Sequence, residues 1–147
     1  MIPEFDENGN LPPGIHFCDW LEFKERFGYT DRRALMIKGM SAAMAELKAA
    51  GCRTFYINGS FVTSQTKPRD FDCCWDRDDV YIDYLRKNAA QILNFYNSAA
   101  QKAKYQGEIY PSDQPVDESV TSIELFQRDR KQNRKGIIAI DLQEWQP

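Results

Sequence analysis

Two stretches of this chain combine residue types and spacing that suit phosphate chemistry. The run Thr54-Phe55-Tyr56-Ile57 reads as a strand and leads into Asn58-Gly59-Ser60. Nine residues separate Ser60 from Asp70-Phe71-Asp72, which opens a second apolar run through Cys73, Cys74 and Trp75. Residues i and i+2 of a strand face the same way. Asp70 and Asp72 therefore present two carboxylates side by side. Adjacent carboxylates repel unless a cation neutralises them. Mg²⁺ takes one or two carboxylates together with substrate phosphates. A Gly-Ser turn at a helix start offers backbone N–H groups and a hydroxyl to such phosphates. One element reads as a phosphate cradle, the other as a metal clamp.

Gly-Ser, a short spacer and Asp-x-Asp make a pattern that resembles the nucleotidyltransferase superfamily. That superfamily includes polymerase-beta-like enzymes and the minimal nucleotidyltransferases of toxin–antitoxin pairs. The wider pattern looks closer still to a small bacterial and phage family of nucleotidyltransferase-like proteins. Its features stand here as Leu11-Pro12-Pro13-Gly14-Ile15-His16, Glu22-Phe23 with Arg26-Phe27-Gly28, Gly59-Ser60-Phe61-Val62-Thr63 and Lys135-Gly136-Ile137-Ile138. Many superfamily members carry a second small residue after Gly-Ser, where this chain has Phe61-Val62-Thr63-Ser64.

The resemblance implies that Gly59 and Ser60 hold a triphosphate and that Asp70 and Asp72 hold Mg²⁺, with Mn²⁺ as the alternative. It also implies a third acidic ligand from a neighbouring strand. Asp141 is the leading candidate, because a lone carboxylate ending the apolar run Gly136–Leu142 is costly unless neutralised; the other reading is a strand-end Asp that faces water or caps a turn. Glu108 and Asp113 rank lower, since their segment reads as a loop. Lys67, Arg69, Arg134 and Lys135 are candidates to neutralise phosphate charge, against a reading as solvated turn residues. His16, in a proline-rich stretch, reads as structural. Trp20, Trp75, Trp145 and Phe61 read as core or rim.

The implied activity is transfer of a nucleoside monophosphate from a nucleoside triphosphate, ATP favoured, to a hydroxyl on a protein or an RNA. The alternative is a binding protein that keeps the fold without turnover and acts through a partner, such as a toxin-like protein. Chance occurrence of the short motif is the remaining reading.

The elements that must position these residues follow from pattern. The chain has 147 residues, 42% hydrophobic and 13% aromatic, enough for one domain with a core. Its formal charge of −3 gives no overall pull toward nucleic acid. No apolar run reaches membrane-spanning length and no apolar signal core opens the chain, so a cytoplasmic location is expected. Cys18, Cys52, Cys73 and Cys74 lack Cys-x-x-Cys spacing and read as reduced, mostly buried thiols.

Prolines and glycines in residues 1–18 predict an extended arm, followed by a single domain over 19–147. Asp19 and Glu22 have capping-box spacing for a short helix to Phe27. Thr30 or Asp31 caps a longer helix to Ala50, with Met36, Met40, Ala43, Met44 and Leu47 on its core face. A helix is expected over 80–103, a loop with a short strand at Glu108–Tyr110 over 105–117, and a short helix over 118–129. Strands near 54–58, 70–75 and 137–141 complete an α+β (α/β) fold, a short mixed sheet flanked by helices.

Overall fold

A computed structural model describes residues 1–117, 119–129 and 131–147. A five-stranded mixed sheet runs in the order β1-β5-β2-β3-β4. Its strands are β1 (Gly14–Phe17), β2 (Thr54–Asn58), β3 (Phe71–Trp75), β4 (Gly107–Pro111) and β5 (Gly136–Asp141). The helices are α1 (Trp20–Phe27), α2 (Asp31–Ala49), α3 (Ile82–Asn88), α4 (Ser98–Tyr105) and α5 (Ser122–Phe126). This is the α+β class expected.

The sheet has two apolar faces of unequal size. Phe55, Ile57, Phe71, Cys73, Trp75, Ile138 and Ile140 face the main core with the methionine stripe of α2. On the other face, Tyr56, Cys74, Ile137 and Ala139 lie under Ile123 and Phe126 of the α5 region. Period-2 alternation thus puts Asn58, Asp72 and Glu108 on this second, thinner face. All four cysteines are free.

The caps form as their residue types dictate. Asp19 accepts the Glu22 N–H at 2.8 Å. The Glu22 carboxylate itself turns to the arm and accepts the Ile2 N–H at 2.8 Å. Thr30 caps α2 through the Arg33 N–H.

Three expectations need correction. Residues 14–17 of the arm join the sheet, in parallel register with β5. The helix expected over 80–103 is two helices joined by a 3-10 turn at Ala90–Leu93, because Ala89 leaves helical geometry and Asn97 starts a new helix by accepting the Ala100 N–H. The short strand expected at Glu108–Tyr110 is present as β4 and extends to Gly107–Pro111, pairing in parallel with all of β3. Of the helix expected over 118–129, α5 is the helical part, and Glu118 lies outside the described residues. No helix among the described residues is long and apolar enough to cross a membrane.

Gly39, in the middle of α2, lets α4 approach closely. A Cβ there would stand 1.8 Å from the Tyr105 carbonyl oxygen. Gln101, fully buried, then ties α4 to the open edge of β4. Its side chain accepts the Ile109 N–H at 3.0 Å and donates to the Ile109 carbonyl at 3.1 Å. A buried amide that satisfies an edge strand in both directions fixes α4 against the sheet, and with it the neighbouring Lys102.

Candidate functional site

Gly59 follows β2 with φ +83° and ψ −167°, a conformation nearly confined to glycine. The chain turns sharply there into a 3-10 turn, Ser60–Val62. A Cβ on Gly59 would lie 2.9 Å from Asp72 Oδ2, so the missing side chain also makes room for that carboxylate.

The loop after the turn is held from beneath. Arg33 of α2 is fully buried, and its guanidinium donates to the carbonyls of Phe27 (3.2 Å), Phe61 (2.8 Å), Thr63 and Gln65. It also lies 4.7 Å from the Phe61 ring centroid. Burial lowers the Arg33 pKa, yet the carbonyls supply the hydrogen bonds that a buried cation needs. Arg32 donates to the carbonyls of Pro68 and Arg69, holding the approach to β3. The turn of the N-terminal arm closes one side of the cleft, where the Ser64 N–H donates to the Gly9 carbonyl at 2.9 Å.

Three carboxylates share one face. Asp72 pairs directly with Asn58 of β2 and with Glu108 of β4. Asp70 lies two residues before Asp72. Burial, Glu108 and Asp70 together push the Asp72 carboxyl up to about 7. Lys102 bridges the other two acids, 3.0 Å from Asp70 Oδ2 and 3.2 Å from Glu108 Oε1. Tyr110 donates its hydroxyl to Glu108 at 2.7 Å. The Asn58 side-chain nitrogen is buried without a partner beside Asp72. Lys135 also faces the cleft; burial lowers its pKa, partly opposed by Asp72.

The cleft has a volume of about 760 Å³ and includes Gly59, Ser60, Asp70, Asp72, Arg128 and Lys135 in its walls. Gly59, Ser60, Asp70 and Asp72 are therefore brought together. Lys67 and Arg69 are exposed on the segment before β3 and do not line the cleft. Arg134 is exposed and lies beside Arg128 in a neighbouring groove.

Asp141 is not brought to the acid pair. β5 runs antiparallel to β2 and pairs Asp141 with Thr54, while Asp72 pairs with Asn58 at the other end of β2. Those ends are roughly 13 Å apart at about 3.3 Å per residue. Asp141 instead accepts the Gln143 N–H at 2.9 Å and caps a turn. Glu108 holds the neighbouring-strand position expected of Asp141.

An oxygen-only set of carboxylates suits a hard cation such as Mg²⁺. Asp72, whose carboxyl is pushed up by burial and by Glu108 and Asp70, fits that need. Among the described residues, however, no group of three or more His, Cys, Asp or Glu side chains is arranged to hold a metal ion. The Lys102 ammonium stands between two of the three carboxylates.

A family match covers residues 3–141. The chain belongs to the DUF6932 family. DUF6932 is described as a family of unknown function, and its match spans all five strands and both sides of the cleft. No curated protein and no solved structure matches the chain.

Arg33, Gln101 and Lys102 were missed from sequence. Arg33 carried a signal: it lies three residues before Met36, on the apolar stripe of α2, where an unpaired guanidinium would be costly. Gln101 and Lys102 carried none, because their roles depend on where α4 docks.

Proposed function

We propose that the cleft binds a nucleoside triphosphate and that the protein is a Mg²⁺-dependent nucleotidyltransferase. It would move a nucleoside monophosphate, AMP favoured, onto a hydroxyl of a protein or RNA acceptor in the cytoplasm. The observation that carries this reading is the glycine-only turn at Gly59, set against Asp72 with Asp70 and Glu108 on the same face.

In this reading the Gly59–Ser60 turn receives the phosphates, and Arg33 keeps the following loop in place before they arrive. Lys135 and Arg128 offset phosphate charge. Asp70 and Asp72 would hold Mg²⁺, with Glu108 on the flank. When bound, the metal would lower the pKa of the attacking hydroxyl and stabilise the leaving pyrophosphate. The new bond joins the acceptor oxygen to the α-phosphorus, the α–β bridging P–O bond breaks, and the acceptor proton is released.

Lys102 favours a second reading. A tethered ammonium already neutralises Asp70 and Glu108, as a protein that binds a partner without turnover would allow. Calorimetric titration of each nucleoside triphosphate, with and without Mg²⁺, separates the two. The enzyme reading expects Mg²⁺-dependent binding that disappears in Asp70→Ala/Asp72→Ala and survives Lys102→Ala. Binding followed by transfer of an α-phosphate label to an acceptor supports turnover. No binding of any of the four nucleotides by folded protein refutes the nucleotide site.

A further inference from the structure

A second cavity, of about 570 Å³, lies at the opposite end of the sheet from the acid cluster. It is framed by Phe17 at the end of β1, Trp20 at the start of α1 and Trp145 after β5. The Trp20 and Trp145 indoles meet edge to face at 83° with centroids 6.4 Å apart, so the aromatic wall of the cavity turns a right angle there. Trp20 is fixed in turn by parallel stacking on Phe23 at 5.0 Å. Phe17 stands 56% exposed at the mouth.

Asp19, Asp141 and Glu144 add three carboxylates to the walls, and no lysine or arginine is among the lining residues. Asp19 and Asp141 each keep one oxygen on a backbone N–H, which fixes their place. The Lys48 ammonium is not among the lining groups and donates to the carbonyls of Leu142 and Gln143. Ring faces are electron-rich, and cations seat over them best where aromatic planes meet at an angle and water is partly excluded. The volume is that of a small-molecule site.

We propose that this cavity binds a small organic cation, a quaternary ammonium head on a short apolar stem. The aromatic corner takes the head, and the carboxylates supply the charge that selects it over a neutral molecule of the same shape. The site uses none of the residues of the nucleotide cleft. It also gives Asp141, which plays no part in that cleft, a ligand-facing role.

Choline is the probe, with its neutral isostere, in which carbon replaces the ammonium nitrogen, as the control. Tryptophan fluorescence is followed at constant ionic strength, and Trp75, buried in the core, contributes a steady background. Saturable binding of choline, about tenfold or more tighter than the isostere, is expected. Glu144→Gln, an exposed position, is expected to weaken it several-fold. Asp70→Ala/Asp72→Ala is expected to leave it unchanged, which separates this site from the nucleotide reading. Equal affinity for choline and isostere, no saturable binding, or an unaltered Glu144→Gln variant would overturn the proposal.

Discussion

Asp72→Asn should stabilise this protein at neutral and alkaline pH. Asp72 lies on a strand between Asn58 and Glu108, with Asp70 two residues away, and its carboxyl is pushed up to about 7 by burial and by those acids. An unfolded Asp titrates near 3.9. Between these values the folded state binds the extra proton, so stability falls as pH rises from about 4 to 7. Above 7 the full cost remains. At 1.36 kcal/mol per pH unit, a rise of roughly three units costs about 4 kcal/mol. Asparagine keeps the shape and removes the charge. In chelator at pH 8 the variant should therefore gain up to about 4 kcal/mol in urea unfolding, or on the order of 10 °C in Tm. Below pH 4, where both states are protonated, the two proteins should match. Saturating Mg²⁺ should narrow the gap at pH 8 by stabilising the wild type alone. A variant no more stable than wild type at pH 8 without metal would refute the charge-repulsion argument, whatever its effect on ligands.

Gly59→Ala forces a Cβ into a glycine-only conformation and within 2.9 Å of Asp72 Oδ2. It should cost about 1–3 kcal/mol in chemical denaturation and abolish nucleotide binding; a stable variant with full binding would contradict the cradle. Arg33→Met leaves the carbonyls of Phe27, Phe61, Thr63 and Gln65 without their buried donor. It should cost about 1–3 kcal/mol for each buried carbonyl left unpaired and speed amide exchange over residues 61–65, and an unchanged Tm would refute the anchoring role.

The parts of the fold visible in the sequence are those whose information is local. Thr54–Asn58, Phe71–Trp75 and Gly136–Asp141 are mostly apolar runs of strand length, and the stripe from Met36 to Leu47 repeats at helical spacing. The adjacency of Gly59 and Asp72 was legible too, because two such runs joined by a short loop tend to pair. The position of Asp141 was not, since a strand's own residues do not reveal its direction against its neighbour. Antiparallel pairing of β5 with β2 sends Lys135 to the cleft and Asp141 to the far end. Glu108 was obscured for a different reason. Its strand is only five residues, opening on Gly107 and ending on Pro111, so turn signals at its own ends outweigh its alternation. The division of residues 80–103 did carry a signal in Asn88, Asn94 and Asn97, residues that favour caps and turns over helix interiors.

The placement of β5 has a consequence for how the chain is made. Among the described strands β5 comes last in sequence, yet it lies between β1 and β2 and pairs with both. During synthesis the α2–β2–β3–β4 portion emerges with one side of β2 bare, and β1 waits for a strand more than a hundred residues downstream. Closure of the sheet therefore waits on pairings distant in sequence, which slows folding. Until residues 136–141 dock, the nascent protein exposes an unpaired, apolar strand edge. Any cellular factor that shields such edges would meet this chain before the cleft is complete.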